Sequence, residues 1–249
     1  MHKSNLLMPD TAEKKTVFIV LPSYDPTAKG CTLLEALRNG LSAKQQLLIV
    51  NDGSASPESA DFFRLATELP FCTILQHPQN QGKGAALKTA FRYLLERYSS
   101  DNDFIGCITA DCDCQHSPED ILQIAAQLQK SPDTLILGSR ALQDRSVPWK
   151  SRLGNRLSKI IFRMLLHLPL LDPQTGLRGI PRKLMQKSLQ LDGNGFEFES
   201  QMIAAAGKLP CPIREYNIQT IYFEQNQHTN YRMFADSLKI ALALLRKYN

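Results

Sequence analysis

No stretch of this 249-residue sequence stays apolar for long enough to cross a bilayer. The closest, Ile160 to Leu171, carries Arg163 and His167 and is broken by Pro169, so no spanning helix is expected. No Gly/Ser/Pro-rich linker divides the chain, and its length suits one well-buried core, so a single domain is expected. Dense runs of one charge are also missing. The 29 basic residues are scattered and the formal net charge is +5, which suits phosphate-bearing ligands or an anionic membrane surface and argues against a nucleic-acid binder. The six cysteines (Cys31, Cys72, Cys107, Cys112, Cys114 and Cys211) form no regular framework, and no secretory apolar segment precedes the first strand-like run. Reduced thiols in a cytoplasmic protein, at most peripheral at the inner face of a membrane, are the expectation.

What the sequence does have is an alternation of strand-like and helix-like segments. Strands are expected at Thr16 to Leu21, Leu47 to Val50, Phe71 to Leu75, a run ending at Ala110, and Thr134 to Leu137. Between them come helical stretches from about Thr32 to Leu41, up to about Glu68, a periodic segment with Ala86, Leu87, Ala90, Phe91, Leu94 and Leu95 on one stripe, and Pro118 to about Leu128. Such alternation predicts an α/β fold with a mostly parallel sheet flanked by helices. After Gly138 the pattern loosens into a basic loop, a helix from about Ser151 to His167, and a polar cluster from Asp172 to Arg178.

In parallel sheets ligands gather at the carboxyl ends of the strands. Four such ends carry polar clusters here: Pro22-Ser23-Tyr24-Asp25, Asn51-Asp52-Gly53-Ser54, His77 to Gly84, and Asp111 to His116. In the last, Asp111 and Asp113 stand two residues apart after an apolar run, where acids of an extended segment point the same way and converge on one hard divalent cation. Cys112 and Cys114 raise a soft-metal reading, disfavoured because no further Cys or His stands at workable spacing. Gly82-Lys83-Gly84 opens the periodic helix, where backbone amides and the helix dipole favour an anion.

Taken together, Pro22 to Pro26, Val50 to Ser54, His77 with Asn80 to Ala86, Thr109 to His116, Gly138-Ser139-Arg140 and Asp172 to Arg178 resemble glycosyltransferase family 2. The likeness is to the branch that includes dolichyl-phosphate mannose synthase and bacterial polyprenyl-phosphate glycosyltransferases, and it runs from about Thr16 to Leu245. Any one motif is weak; six in the same order are specific. The resemblance implies a GT-A, Rossmann-like fold, a divalent metal (Mg2+ or Mn2+), inversion at the anomeric carbon, and a UDP- or GDP-sugar donor. It casts residues 1–15 as an extension, 16–140 as the nucleotide-sugar half and 141–249 as the acceptor half.

By the same resemblance, Pro22, Tyr24, Asp25 and Asp52 fall at nucleotide-binding positions and Lys83 at a phosphate-facing one. Asp111 falls where ribose and metal are met, Asp113 and Gln115 resemble metal ligands, and Arg140 and Arg178 resemble contacts to the diphosphate or an acceptor phosphate. A polyprenyl phosphate acceptor is already ionised and needs a cationic seat, for which Arg140, Arg152 and Arg178 are candidates. A hydroxyl acceptor would instead need a carboxylate base, and Asp172, Glu197 and Glu199 are available for that part. Phe196 to Glu199 otherwise reads as buried aromatics alternating with solvated acids.

The amphipathic segments Ile160 to His167 and Arg232 to Lys247 suit either a helix on an anionic bilayer or core helices with snorkelling ends. Peripheral membrane contact or a separate membrane partner is therefore an expectation for a lipid acceptor. Cys112 and Cys114, Gly195, and Asn230 in His228 to Tyr231 depart from the family pattern. A nucleotidyltransferase would want a Gly- and Arg-rich first turn, which Pro22 to Gly30 lacks, and a catalytically silent nucleotide-sugar-binding protein is opposed by the intact Asp111, Asp113, Lys83 and Arg178.

Overall fold

The structure is a computed structural model, and it describes residues 15–41, 45–140 and 149–219; the side chains of 149–154 and 165 fall outside that set. The expected extension, the segment from Arg232 to Lys247, the His228 to Tyr231 motif and the Arg152 side chain lie outside the described residues.

Seven strands form one sheet in the order β3-β2-β1-β4-β6-β5-β7. They are β1 (Thr16–Ser23), β2 (Gln46–Asn51), β3 (Cys72–Gln76), β4 (Phe104–Thr109), β5 (Leu135–Arg140), β6 (Arg178–Pro181) and β7 (Ile213–Ile218). All neighbours run parallel except β6, which lies antiparallel between β4 and β5. The helices are α1 (Ala28–Gly40), α2 (Pro57–Thr67), α3 (Lys83–Arg97), α4 (Pro118–Lys130), α5 (Trp149–Leu166), α6 (Arg182–Ser188) and α7 (Glu197–Lys208).

Alternation along each strand builds two cores. Val17, Ile19 and Leu21 of β1 pack with α1, α2 and α4 on one face, while Phe18 and Val20 join Phe91 of α3 and Phe198 and Met202 of α7 on the other. Helix starts are written locally: Ser56 and Ser117 cap α2 and α4 by accepting the amides of Ser59 and Asp120, each with proline at the first helical position.

The late strands depart from the alternation expected. β6 is four residues long and carries both an arginine and a proline, so no strand period announces it. Threading it antiparallel brings the Asp172 to Leu177 loop against the end of β4, with Thr109 Oγ1 donating to the Gly176 carbonyl at 3.1 Å. That insertion is what carries the second polar cluster to the strand ends of the first half.

Candidate active site

Asp111 and Asp113 follow β4 directly and open at the carboxyl end of the sheet. Asp111 lies beneath Gly176, where a β-carbon would come within 2.1 Å of Asp111 Oδ2, so the missing side chain is what admits the carboxylate. Asp113 is exposed, and its Oδ1 accepts the Gln115 amide at 3.0 Å. Desolvation by the surrounding walls and the charge of Asp111 push the Asp113 carboxyl up to about 6. Asp111 moves the other way: burial would raise it, but Lys83 foremost, with His116 and Arg140, holds it below the ordinary carboxylate range.

The cysteines beside Asp113 find their role here. Cys112 Sγ is 3.0 Å from Ser23 Oγ at the end of β1, and Cys114 Sγ donates to the Lys29 carbonyl of α1 at 2.6 Å. Cys114 also holds a positive φ of 58°, which turns the chain sharply after Asp113. The two thiols thus pin the acidic loop to β1 and α1, and burial pushes Cys112 up to about 12, far from a metal-binding thiolate.

Lys83 stands at the first position of α3. Its Nζ lies 2.7 Å from Asp111 Oδ1 and 2.9 Å from Glu199 Oε2. Burial would lower this ammonium, but the two carboxylates outweigh it and hold it above the ordinary lysine value. The start of α3 is more committed than the anion-binding expectation allowed. The Gly82 amide donates to Asp52 Oδ2 at 2.8 Å and the Ala85 amide to the Asn194 carbonyl at 3.1 Å. Gly82 itself sits at φ 99° with Asn194 so close that a β-carbon would come within 2.5 Å of its oxygen, so only glycine fits.

Several residues expected to meet a ligand make bonds within the protein. Asp52 is 3% exposed and accepts from His77 Nδ1 at 2.7 Å and from the amides of Gln81 and Gly82. It therefore shapes the β3–α3 loop. Asp25 accepts the Ala55 and Ser56 amides at 2.9 and 2.8 Å, stapling the first two strand-end loops together, and these bonds hold its carboxyl low. Tyr24 beside it is exposed and Pro22 half-buried.

Arg178, expected at a phosphate, is 2% exposed and fully spent on the protein. Its guanidinium donates to the carbonyls of Thr175, Glu199 and Pro173 at 2.8, 2.6 and 3.3 Å. The side chain thereby braces the loop over Asp111.

Arg140 is gripped by Asp172, with Nε to Oδ2 at 2.6 Å and Nη2 to Oδ1 at 3.1 Å. Asp172 is sealed from solvent, and its own amide donates to Glu215 Oε1 at 2.9 Å. The acidic-aromatic segment splits rather than alternating simply. Glu197 accepts the Asn194 and Gly195 amides at 3.1 and 2.9 Å, whereas Glu199 is buried against Lys83. All three carboxylates named as possible bases are thus already engaged.

His116 closes the acidic motif that begins at Asp111. It is buried, its Nδ1 has no hydrogen-bond partner among the described residues, and its surroundings include the charges of Asp111, Arg140, Lys83 and Asp172. Burial, the largest influence, brings the imidazole down to about 4. Its place within the acidic motif was the available signal.

A divalent cation fits this donor set. Among the described residues no cluster of three or more Cys, His, Asp or Glu forms a closed metal cage. Mg2+ does not ask for one, being held by one or two carboxylates together with substrate phosphates, and Asp111 with Asp113 offers hard oxygens and a surplus of negative charge.

The description "Glycosyl transferase family 2" belongs to the family model that matches residues 18–189, and the chain belongs to that family. It is a nucleotide-sugar-dependent glycosyltransferase of the GT-A fold. An uncharacterised protein of Methanocaldococcus jannaschii is 26% identical over 216 residues, 85% of this chain and 84% of its own length. The UDP-N-acetylglucosamine–dolichyl-phosphate N-acetylglucosaminyltransferase of Methanococcus voltae is 24% identical over 84% of this chain and 87% of its own. Among solved structures, glucosyl-3-phosphoglycerate synthase from Mycobacterium tuberculosis, in complex with Mn2+, uridine diphosphate and glucosyl-3-phosphoglycerate, superposes with a TM-score of 0.70. That pair is 15% identical, with 100% of this chain and 86% of the other covered, a likeness of fold.

Proposed function

We propose that this enzyme transfers a sugar, with inversion, from a UDP- or GDP-sugar to a polyprenyl-type lipid phosphate, using Mg2+ or Mn2+ at Asp113 and Asp111. The observation that carries the metal and donor is the Asp111–Asp113 pair, whose mutual repulsion asks for a cation beyond Lys83. A divalent ion held there would neutralise the charge that grows on the leaving diphosphate. Lys83 contributes a cation at the same place, Gln115 is the further ligand candidate, and the inward bonds of Asp25 and Asp52 hold the loops against which a nucleotide packs beside Pro22 and Tyr24.

The acceptor is argued from the carboxylates. Asp172 is bound to Arg140, Glu199 to Lys83 and Glu197 to backbone amides, so none stands ready to take a proton from an alcohol. A phosphate acceptor needs none, because its nucleophilic oxygen is ionised at neutral pH, and Arg140 provides positive charge beside the acids. The lipid part of the reading is supported by the dolichyl phosphate in the name of the Methanococcus voltae relative.

Helix α5 suits the same acceptor. Leu157, Ile160 and Met164 are 37, 46 and 71% exposed and recur at helical spacing, with Arg156 and Arg163 exposed beside them. An apolar stripe flanked by cations is what an anionic bilayer surface holds. No helix among the described residues is long and apolar enough to span a membrane.

Incubation with a panel of UDP- and GDP-sugars, Mn2+ and a short-chain polyprenyl phosphate tests the reading. Sugar-phosphate-lipid product that vanishes on chelation supports it. Transfer to sugar hydroxyls alone would overturn the acceptor, and transfer undiminished by chelation would overturn the metal.

A further inference from the structure

One ammonium is shared between two unequal carboxylates. Lys83 Nζ is bonded to both Asp111 Oδ1 and Glu199 Oε2, at 2.7 and 2.9 Å. Glu199 is the fixed partner: its side chain is 8% exposed on the first turn of α7, and its own carbonyl accepts Arg178 Nη1 at 2.6 Å. Its second oxygen, Oε1, is buried, has no hydrogen bond among the described residues and lies 3.7 Å from Arg178 Nε. Asp111 is the open partner, with its side chain a third exposed at 33%, on the same loop as Asp113.

This arrangement conflicts with donor binding in one respect. A divalent cation on Asp111 and Asp113 would share Asp111 with an ammonium already bonded to it, and like charges on one carboxylate repel. Lys83 has somewhere else to go, since Glu199 is already within bonding distance and has an acceptor oxygen to spare. An incoming diphosphate would offer further oxygens on the lysine's open side.

We propose that Lys83 is a built-in placeholder cation, which neutralises Asp111 until donor and metal arrive and is then held by Glu199 and the diphosphate, freeing Asp111 for ribose and metal. Glu199 is the positioning residue for this exchange. The inference rests on the reading of Asp111 and Asp113 as the metal and donor site. It gives metal and nucleotide a mutual dependence: metal alone must displace the lysine, whereas metal with diphosphate does so at little cost, a coupling that is reciprocal by linkage.

The two variants that break the pair are expected to act in opposite directions, which a purely structural part for either residue would not produce. Direct Mn2+ titration, read as the spin-resonance signal of the free ion, is done without nucleotide and then with UDP or GDP. Lys83→Met removes the competitor and is expected to bind Mn2+ alone about tenfold more tightly than the parent protein, while losing most of the enhancement by nucleotide. Glu199→Gln leaves the lysine on Asp111 alone and is expected to weaken Mn2+ binding severalfold, with Glu199→Asp restoring part of the loss. Thermal melts check that each variant is folded, and if Glu199→Gln is not, Lys83→Met decides the matter alone. A folded Lys83→Met protein that binds Mn2+ no better than the parent overturns the placeholder while leaving the site reading intact. A parent protein that binds neither Mn2+ nor nucleotide overturns both.

Discussion

The acids around the strand ends are held in two different ways. Asp25 and Asp52, on the loops after β1 and β2, are anchored chiefly by backbone amides, with His77 added at Asp52. Asp111, Asp172 and Glu199 are matched instead to side-chain cations, Lys83 and Arg140. Amide donors cannot leave without unmaking the loop, so the first group is fixed shape. Long cationic side chains can change partners, so the second group is charge that a ligand can rearrange. Asp113 belongs to neither: its carboxylate accepts an amide of its own loop, pairs with no cationic side chain among the described residues, and lies beside the charge of Asp111.

Asp113→Ala should break this contrast most completely, because it removes the acid that is neither built into the fixed loops nor paired with a cationic side chain among the described residues. Turnover is expected to fall by about a thousandfold or more, in keeping with the loss of a transition-state electrostatic group. Stabilisation of the fold by Mn2+ with UDP or GDP should vanish in a melt, since only binding to the native state raises the melting temperature. The apo melting temperature should change little, because Asp113 is exposed.

Breaking a paired acid should instead cost stability. Arg140→Met leaves Asp172 sealed from solvent without its guanidinium, which for a buried pair costs about 3–5 kcal/mol. Adding Asp172→Leu to the same protein should recover much of that, because an apolar pair of similar volume replaces a buried ion pair without an orphaned charge. Urea unfolding of the two variants checks this, and a double variant no more stable than Arg140→Met would show that an orphaned Asp172 charge is not the source of the loss.

Next in size is Asp52→Asn, which keeps the shape but replaces one acceptor oxygen with a donor facing amides that already donate. One or two buried bonds lost cost about 1–3 kcal/mol, and for a chain of this size each kcal/mol lowers the melting temperature by about 2–4 °C. Nucleotide affinity should fall with it, because the loop displaced is the one that leads into Lys83. A drop in affinity with no drop in stability would instead place Asp52 directly against the nucleotide.

The same contrast explains what could be read in the sequence. Strands β1 to β5 and the backbone-anchored acids lie in motifs whose pattern is local: an apolar strand, then a polar turn closing on its neighbour. The charge-paired residues depend on contacts across the chain. Glu199 looks like one of two alternating acids until α7 brings it to Lys83, and the bracing of its loop by Arg178 depends on β6, too short to carry a period. The cysteines beside Asp113 gave no sequence signal either, since their partners Ser23 and Lys29 are set by how β1 and α1 approach the loop.

The smallest effect in the isolated protein is expected on α5, where the question is whether its exposed face is free to be used. Ile160→Ser with Met164→Ser alters exposed side chains that contribute little to the core, so stability should stay within about 0.5 kcal/mol of the parent for each change. Each side chain withdrawn from a bilayer boundary forfeits burial of about 1.5–3 kcal/mol at most. Vesicle sedimentation with anionic lipid should therefore fall by roughly tenfold or more, on the arithmetic that 1.4 kcal/mol is tenfold. Turnover on a short, water-soluble polyprenyl phosphate should be unchanged while turnover on vesicle-borne lipid falls. Loss on both acceptors alike would mean that α5 acts on the site itself, and the division between fixed shape and exchangeable charge would then extend to α5.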